Sequence, residues 1–205
     1  VDAALTVVAN PNSPSGTSAP TAELAALASR LNGVLAIDEA YAEFAEESAL
    51  ELVRRSDRVI VLRTLSKSHA LAGLRLGFAV ANPALLEGLA KVKDSYNVDA
   101  VAARVGAAAI RDTAHTRAMV ARIRSGRARL SAALTDLGFR VWPSQANFVL
   151  VRPANGDAQR LYEGLAERRV LVRYFAEDAL MDKLRITVGT DAQHARLIDV
   201  LTELV

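Results

Sequence analysis

Three short stretches hold most of the residues able to do chemistry. The first is Asn10-Pro11-Asn12-Ser13-Pro14-Ser15-Gly16, which offers amides and hydroxyls. The second is Asp38-Glu39-Ala40-Tyr41, with carboxylates and a phenol. The third is Thr64-Leu65-Ser66-Lys67-Ser68-His69, followed by Gly73-Leu74-Arg75-Leu76-Gly77. Lys67 supplies an amine able to attack a carbonyl carbon and form a Schiff base. Asp38 supplies a carboxylate able to hold a positive charge, and Arg75 a guanidinium fork suited to an oxyanion such as phosphate.

Such groups act together only if the fold brings them to one place. Ala4 to Ala9 is a β-branched apolar run that stops at the first stretch, which is dense in turn formers. Thr21 to Leu31 has helical spacing, with Leu24, Leu27 and Leu31 on one face, Thr21 as N-cap and Gly33 as terminator. Val34 to Ile37 is an apolar run cut off by Asp38-Glu39. A second helix is expected over Ala49 to Arg55, and Val59 to Leu62 runs into the third stretch. Strands alternating with helices, the strands continuously apolar, predict a parallel sheet covered on both faces. In such sheets ligands sit beyond the carboxyl ends of the strands, where all three stretches fall. Gly77 to Ala81 is a fourth strand, reached too quickly for a helical crossover, so it is expected to be antiparallel or at an edge.

The remainder has a different rhythm. Pro83 opens a long helical stretch to about Ile110, with a break expected near Tyr96-Asn97. His115 to Leu137 is a second long helix, and its arginines (Arg117, Arg122, Arg124, Arg127, Arg129) read as a solvated face. Phe139 to Trp142, Asn147 to Val151, Val170 to Tyr174 and Leu184 to Val188 read as short strands. Leu161 to Arg168 and Ala192 to Leu204 read as helices. The fold class is therefore α/β, with a mostly parallel sheet followed by a small C-terminal α+β domain. The expected division is residues 1–95 for the first domain, 96–117 for a helical linker and 118–205 for the second.

An amine, a carboxylate, a phenol, hydroxyls and an arginine at one sheet edge are what pyridoxal phosphate requires. The lysine carries it, the carboxylate keeps the pyridine nitrogen protonated, a phenol tunes the ring oxygen, and hydroxyls with an arginine hold the phosphate. Each residue also has an ordinary structural reading. Asp38 and Glu39 cap a following turn, Lys67 is a surface lysine, Tyr41 and Phe44 edge the core, and Arg75 joins a surface ion pair. For His69 the structural reading is preferred.

Composition removes other classes. With no cysteine there are no disulfides, thiolate metal sites or cysteine nucleophiles. His69, His115 and His194 lack ligand spacing, so no metal is expected. A formal charge of +2 points away from nucleic acid, and no apolar run is long enough to span a bilayer. A non-catalytic α/β ligand-binding module, taking a nucleotide or a protein, is the alternative of another class; against it, neither the Gly-x-Gly-x-x-Gly nor the Walker pattern is present.

The three stretches in this order resemble the fold-type I, class II aminotransferases. The chain is most similar to the branch of that family acting on histidinol phosphate, to which Lys93-Asp94-Ser95-Tyr96-Asn97-Val98, Ala146-Asn147-Phe148-Val149-Leu150 and Leu184-Arg185-Ile186-Thr187-Val188-Gly189 also conform. The resemblance implies that residues 1–95 are part of a pyridoxal-phosphate-binding large domain. It implies Lys67 as Schiff-base lysine and proton shuttle, Asp38 on the pyridine nitrogen, Tyr41 on the ring hydroxyl, and Ser66, Arg75 and Thr64 around the phosphate. Arg185 is implied for the substrate carboxylate, Arg173 for a phosphate end, and Asn147 as a further substrate contact. Two positions depart from the family pattern. Ser13 stands where an asparagine normally precedes the proline, with Asn12 beside it as a replacement, and Ser15 stands for threonine. The implied reaction is amino transfer between glutamate and imidazole-acetol phosphate, giving histidinol phosphate for histidine biosynthesis. Relatives acting on aromatic amino acids or threonine phosphate are the alternative. A cytoplasmic homodimer is implied as well. The family's glycine-rich phosphate loop, ring-stacking aromatic and first strands lie upstream of the matching segments, so the chain is expected to be the C-terminal portion of a longer protein.

Overall fold

The computed structural model describes residues 2–205, which form two compact units. Residues up to Asn12 and Ser18–Val120 make the first, Ser13–Thr17 and Ala121–Val205 the second.

The first unit is built on a sheet of β1 (Leu5–Ala9), β2 (Val34–Asp38), β3 (Val59–Thr64) and β4 (Gly77–Ala81), in that spatial order. β1, β2 and β3 run parallel, and β4 is an antiparallel edge, as its short connection requires. The two parallel crossovers carry α1 (Thr21–Arg30) and α2 (Leu52–Arg55), the latter preceded by single 3-10 turns at Ala42–Phe44 and Ala49–Glu51. Side chains alternate across the sheet. Leu35, Ile37, Val59 and Val61 pack with Leu24, Leu31, Ala49 and Leu52 on one face. Ala36, Ile60 and Ala81 pack on the other with Leu85 and Leu86 of α3 (Pro83–Val92). Covering on both faces is why these strands read as unbroken apolar runs. β1 is the other edge, with Leu5 and Val7 exposed.

Two expectations at α1 are corrected. The capping position is Pro20, without a side-chain cap, and the Thr21 amide donates to the Glu47 carboxylate at 2.8 Å. The helix ends at Arg30 with Leu31 already extended, so Gly33 does not terminate it. Gly33 is needed for close approach, since a Cβ there would lie 2.2 Å from the Ala3 carbonyl oxygen. The helical stretch after Pro83 breaks as expected. Asn82 caps α3, and α4 (Ala100–Arg111) restarts behind Asp99, whose carboxylate accepts from the Ala102 amide at 2.8 Å.

The boundary between units falls inside α5 (Thr113–Asp136). The second unit is an antiparallel sheet of β5 (Arg140–Val141), β6 (Phe148–Arg152), β8 (Leu184–Thr187) and β7 (Arg173–Tyr174), in that spatial order. Val149, Val151, Leu184 and Ile186 pack against Leu161 and Leu165 of α6 (Ala158–Glu167) and Leu197, Val200 and Leu201 of α7 (Asp191–Leu204). The strand expected over Val170 to Tyr174 shrinks to its last two residues. Its beginning is used to close α6, with Arg169 at φ 60° and the Val170 amide bonded to the Leu165 carbonyl. A capping box between Thr190 and Gln193 starts α7. The expected division put residues 13–17 in the large domain, but their contacts place them in this unit. The Gln145 amide donates to the Gly16 carbonyl at 2.7 Å. Among the described residues no helix is long and apolar enough to cross a membrane.

Candidate active site

In the first unit the polar groups follow the carboxyl ends of β2 and β3. Asp38 is the last residue of β2. Its carboxylate accepts from the Ala40 amide at 3.0 Å and its carbonyl from the Asn10 amide at 2.9 Å. The turn-capping reading of Asp38 is therefore satisfied through one of its carboxylate oxygens. Tyr41 leads into the Ala42–Phe44 turn, which is anchored by the fully buried Phe44. The Lys67 ammonium stands 5.3 Å from the centre of the Tyr41 ring, within the range of a cation–π attraction. Thus the amine and phenol, from different strand ends, do converge.

The loop that carries Lys67 is pinned at several points. Leu65 is buried, and its amide donates to the Leu76 carbonyl at 3.0 Å. The Leu71 amide donates to Leu65 and the Ala70 amide to Lys67. Ala70 and Arg75 both adopt positive φ, 55° and 52°, conformations that cost L-residues energy and persist only when their surroundings impose them. Gly106 of α4 lies against this loop, where a Cβ would come within 2.3 Å of Leu76 and 3.1 Å of Leu65 side-chain carbons. The Thr64 and Ser66 hydroxyls lie 2.9 Å apart. Arg75 is exposed, and its guanidinium donates to the Ala72 carbonyl at 2.9 Å. His69 pairs its Nδ1 with the Ser68 hydroxyl at 3.0 Å. Asn12 is half-buried beyond β1. Asn10, which drew no role from its sequence, is buried and organises that turn. Its side-chain oxygen accepts from the Ala19 amide at 2.7 Å and the Ser18 hydroxyl at 3.1 Å.

A second set of charges underlies these loops. Glu39 is fully buried, and Arg63 is nine-tenths buried. The Arg63 Nε donates to Glu39 at 2.8 Å, Nη1 to Glu43 at 2.6 Å and Nη2 to the Ser48 hydroxyl at 2.9 Å. Glu39 also accepts from the Ala49 amide at 2.5 Å and from Ser48 at 3.0 Å. Removing one partner of such a pair strands the other charge and costs about 3–5 kcal/mol. Its sequence signal was an arginine at the end of an otherwise apolar strand, two positions beyond Val61 on the same face.

In the second unit Arg173 and Arg185 are paired across β7 and β8. Both guanidiniums face Phe175, at 5.3 and 5.7 Å from its ring centre, and Arg185 also lies 5.0 Å from that of Phe148. Arg185 donates from Nη1 to the Ser13 hydroxyl at 2.9 Å. Its Nε is buried and has no hydrogen-bond partner among the described residues. An unsatisfied buried donor of this kind costs about 1–3 kcal/mol. Asn147 is half-buried just before β6, and its carbonyl accepts from the Val188 amide at 2.9 Å. Arg127, expected on a solvated helix face, is instead partly buried and donates to the Ala146 carbonyl at 2.7 Å, fixing the residue before Asn147. A crevice of about 520 Å³ in this unit, lined by Leu171, Thr187, His194 and Arg196, contains none of the expected site residues. Among the described residues no cluster of histidine and acidic side chains is arranged to hold a metal ion.

The model of the class I and II aminotransferases matches residues 2–201. The chain belongs to this aminotransferase family. Histidinol-phosphate aminotransferase 1 of Trichormus variabilis is 55% identical over 203 residues, 99% of this chain and 58% of that relative. The histidinol-phosphate aminotransferase of Geobacter sulfurreducens is 44% identical over 95% of the chain and 55% of its own length. The chain thus spans a little over half the length of these aminotransferases. Among solved structures, histidinol-phosphate aminotransferase from Sinorhizobium meliloti in complex with pyridoxal 5'-phosphate superposes with a TM-score of 0.90. It is 27% identical, over 99% of this chain and 58% of that one.

Proposed function

We propose that this chain is the lysine-bearing portion of a pyridoxal-phosphate-dependent aminotransferase that exchanges an amino group between glutamate and imidazole-acetol phosphate, giving histidinol phosphate. The observation that supports it most is the meeting of Lys67 and Tyr41 at 5.3 Å, with Asp38 ending the strand that leads to Tyr41 and lying beside the strand that leads to Lys67. The donor set fits the cofactor, and the 55% identical relative bears the name of this reaction.

When bound, pyridoxal phosphate supplies a ring that takes up the electron pair released at the substrate's α-carbon. Lys67 holds the cofactor covalently and afterwards moves the proton at the α-carbon. Asp38 keeps a proton on the ring nitrogen through its carboxylate, and Tyr41 donates to the ring oxygen, with Asn12 and Ser13 candidates for the same edge. Ser66, Thr64 and Arg75 take the phosphate. Arg75 would offer it a charge-assisted donor, stronger than its present bond to the Ala72 carbonyl. Arg185 is the residue for the substrate carboxylate, Arg173 for the distal anion, and Asn147 for a polar group of the substrate. Two arginines beside one aromatic ring suit substrates that alternate between a second carboxylate and a phosphate ester. The reading extends to a homodimer in the cytoplasm.

The test is the visible spectrum of the protein with added pyridoxal phosphate, before and after borohydride reduction, followed by peptide mapping. Cofactor trapped on Lys67, and lost in Lys67→Ala, is expected. Trapping elsewhere, or no band in the full-length protein, refutes the assignment. Turnover of a free aromatic amino acid with none of histidinol phosphate would move the substrate to that alternative.

A further inference from the structure

We propose that Arg63 is a positioning residue: its guanidinium fixes the separation between the Asp38–Tyr41 turn and the Lys67 loop, and so sets cofactor affinity and the pH at which the cofactor's bond to Lys67 titrates. This rests on the pyridoxal phosphate reading above.

The chain order and the contacts carry the inference. Glu39 directly follows Asp38, and Glu39 and Glu43 bracket Tyr41 at two residues on either side. Both carboxylates are tied to the same guanidinium, at 2.8 and 2.6 Å. Arg63 in turn directly precedes Thr64, with Ser66 and Lys67 immediately beyond. One rigid, planar group thus spans the two strand ends from which the chemistry-bearing residues emerge. The backbone pairing alone does not extend that far. The last β2–β3 register pair is Asp38 with Leu62, followed by one hydrogen bond from the Glu39 amide to the Leu62 carbonyl at 2.9 Å. Beyond that pair, the Arg63 fork ties the two strand ends together through Glu39, Glu43 and Ser48. Because strand side chains alternate, Glu39 and Arg63 continue the face of Ile37 and Val61, opposite to Asp38. The clamp therefore holds the site from behind without occupying it. A lysine cannot reproduce this, since its single ammonium has no fork to reach Glu39, Glu43 and Ser48 together.

The experiment compares the parent holoenzyme, Arg63→Lys and Glu43→Gln. It reads the dissociation constant for pyridoxal phosphate, the pH midpoint of the visible band, and the melting temperature of each apoprotein. Arg63→Lys is expected to weaken cofactor binding about tenfold, the scale on which outer-shell partners act through the groups they orient. The band midpoint is expected to move by about half a pH unit as the ring's neighbours shift. Glu43→Gln keeps the side-chain shape and loosens one arm, so it should move both readouts the same way by less. A merely structural role would lower melting temperatures alone. Parent-like affinity and midpoint in Arg63→Lys overturn the proposal, and if that variant does not fold, the same result in Glu43→Gln does so. A parent without any visible band removes the cofactor reading and this inference with it. A parent with the band and unshifted variants removes only the inference.

Discussion

Replacing Gly16 by alanine should test how the Ser13–Thr17 segment is held in the second unit. The backbone there has φ +76°, and a Cβ would lie 2.3 Å from the Ser144 Oγ, 2.7 Å from its Cβ and 3.2 Å from its Cα. The left-handed conformation costs an L-residue about 1–2 kcal/mol. Forcing a methyl group into so close a contact adds about 1–3 kcal/mol. The two contributions separate in a double-mutant cycle with Ser144→Gly, which deletes both nearest atoms and leaves the φ cost. Ser144→Gly alone loses the hydroxyl that donates to the Phe148 carbonyl at 2.6 Å and accepts from the Ala146 amide at 3.1 Å. Gly16→Ala should therefore be destabilising in either background, and less so by about 1–3 kcal/mol where Ser144 is glycine. Urea unfolding of the full-length protein, followed by the fluorescence of Trp142 two residues from Ser144, reads the local transition. Additivity within about 0.5 kcal/mol would refute the steric argument. A neutral Gly16→Ala would refute the backbone assignment as well. The loop also presents Ser13 to Arg185 at 2.9 Å, so the variant should raise the Michaelis constant for the amino-acid substrate.

Other consequences follow from single contacts. Gly106→Ala gains helix propensity of up to about 1 kcal/mol but drives its methyl into Leu76 and Leu65. Net destabilisation of about 1–2 kcal/mol is expected, with slower trapping of cofactor on Lys67 because Leu65 anchors that loop. A variant that melts at or above the parent temperature would contradict the packing. Burial holds the His194 imidazole below its ordinary value of 6.5, with Asp191 opposing the shift, and its Nε2 accepts from the Gly189 amide at 2.9 Å, which requires the neutral ring. The unfolded chain therefore takes up the proton first. This contribution is whole above pH 6.5 and is lost as the pH falls through that value toward the lower folded one. The urea midpoint should fall between about pH 7.5 and about pH 5.5, and His194→Gln should flatten that fall. An unchanged slope in the variant would exclude His194 as its source.

What could be read from the sequence was what obeys a local rule. Unbroken apolar runs such as Val59 to Leu62 gave the covered sheet, and the short connection after Lys67 gave the antiparallel β4. The strand-end rule placed Asp38, Tyr41 and Lys67 on one edge. A glycine misled where its reason was tertiary: Gly33 reads as a helix stop but serves a close backbone approach to Ala3, ahead of β1. Thr21 reads as a cap, yet its amide finds a carboxylate 26 residues away.

The clamp left only a faint signal, for a related reason. A Glu beside an Asp reads as one polar strand end, and an arginine before Thr-Leu-Ser-Lys reads as part of the loop. Only the register, which sets Asp38 beside Leu62, shows that Glu39 and Arg63 are neighbours on the covered face. Arg127 teaches the same point: on α5 its spacing assigns it to a solvated face, whereas the Ala146 carbonyl that binds it comes from a segment with no periodicity to announce it. Charges that position a site are selected by partners distant in sequence, so composition and period pass over them. The chemistry-bearing residues can be read because the sheet edge collects them whatever their partners. If the Arg63 variants leave the band midpoint unmoved, this distinction fails at the one place where the structure draws it most sharply.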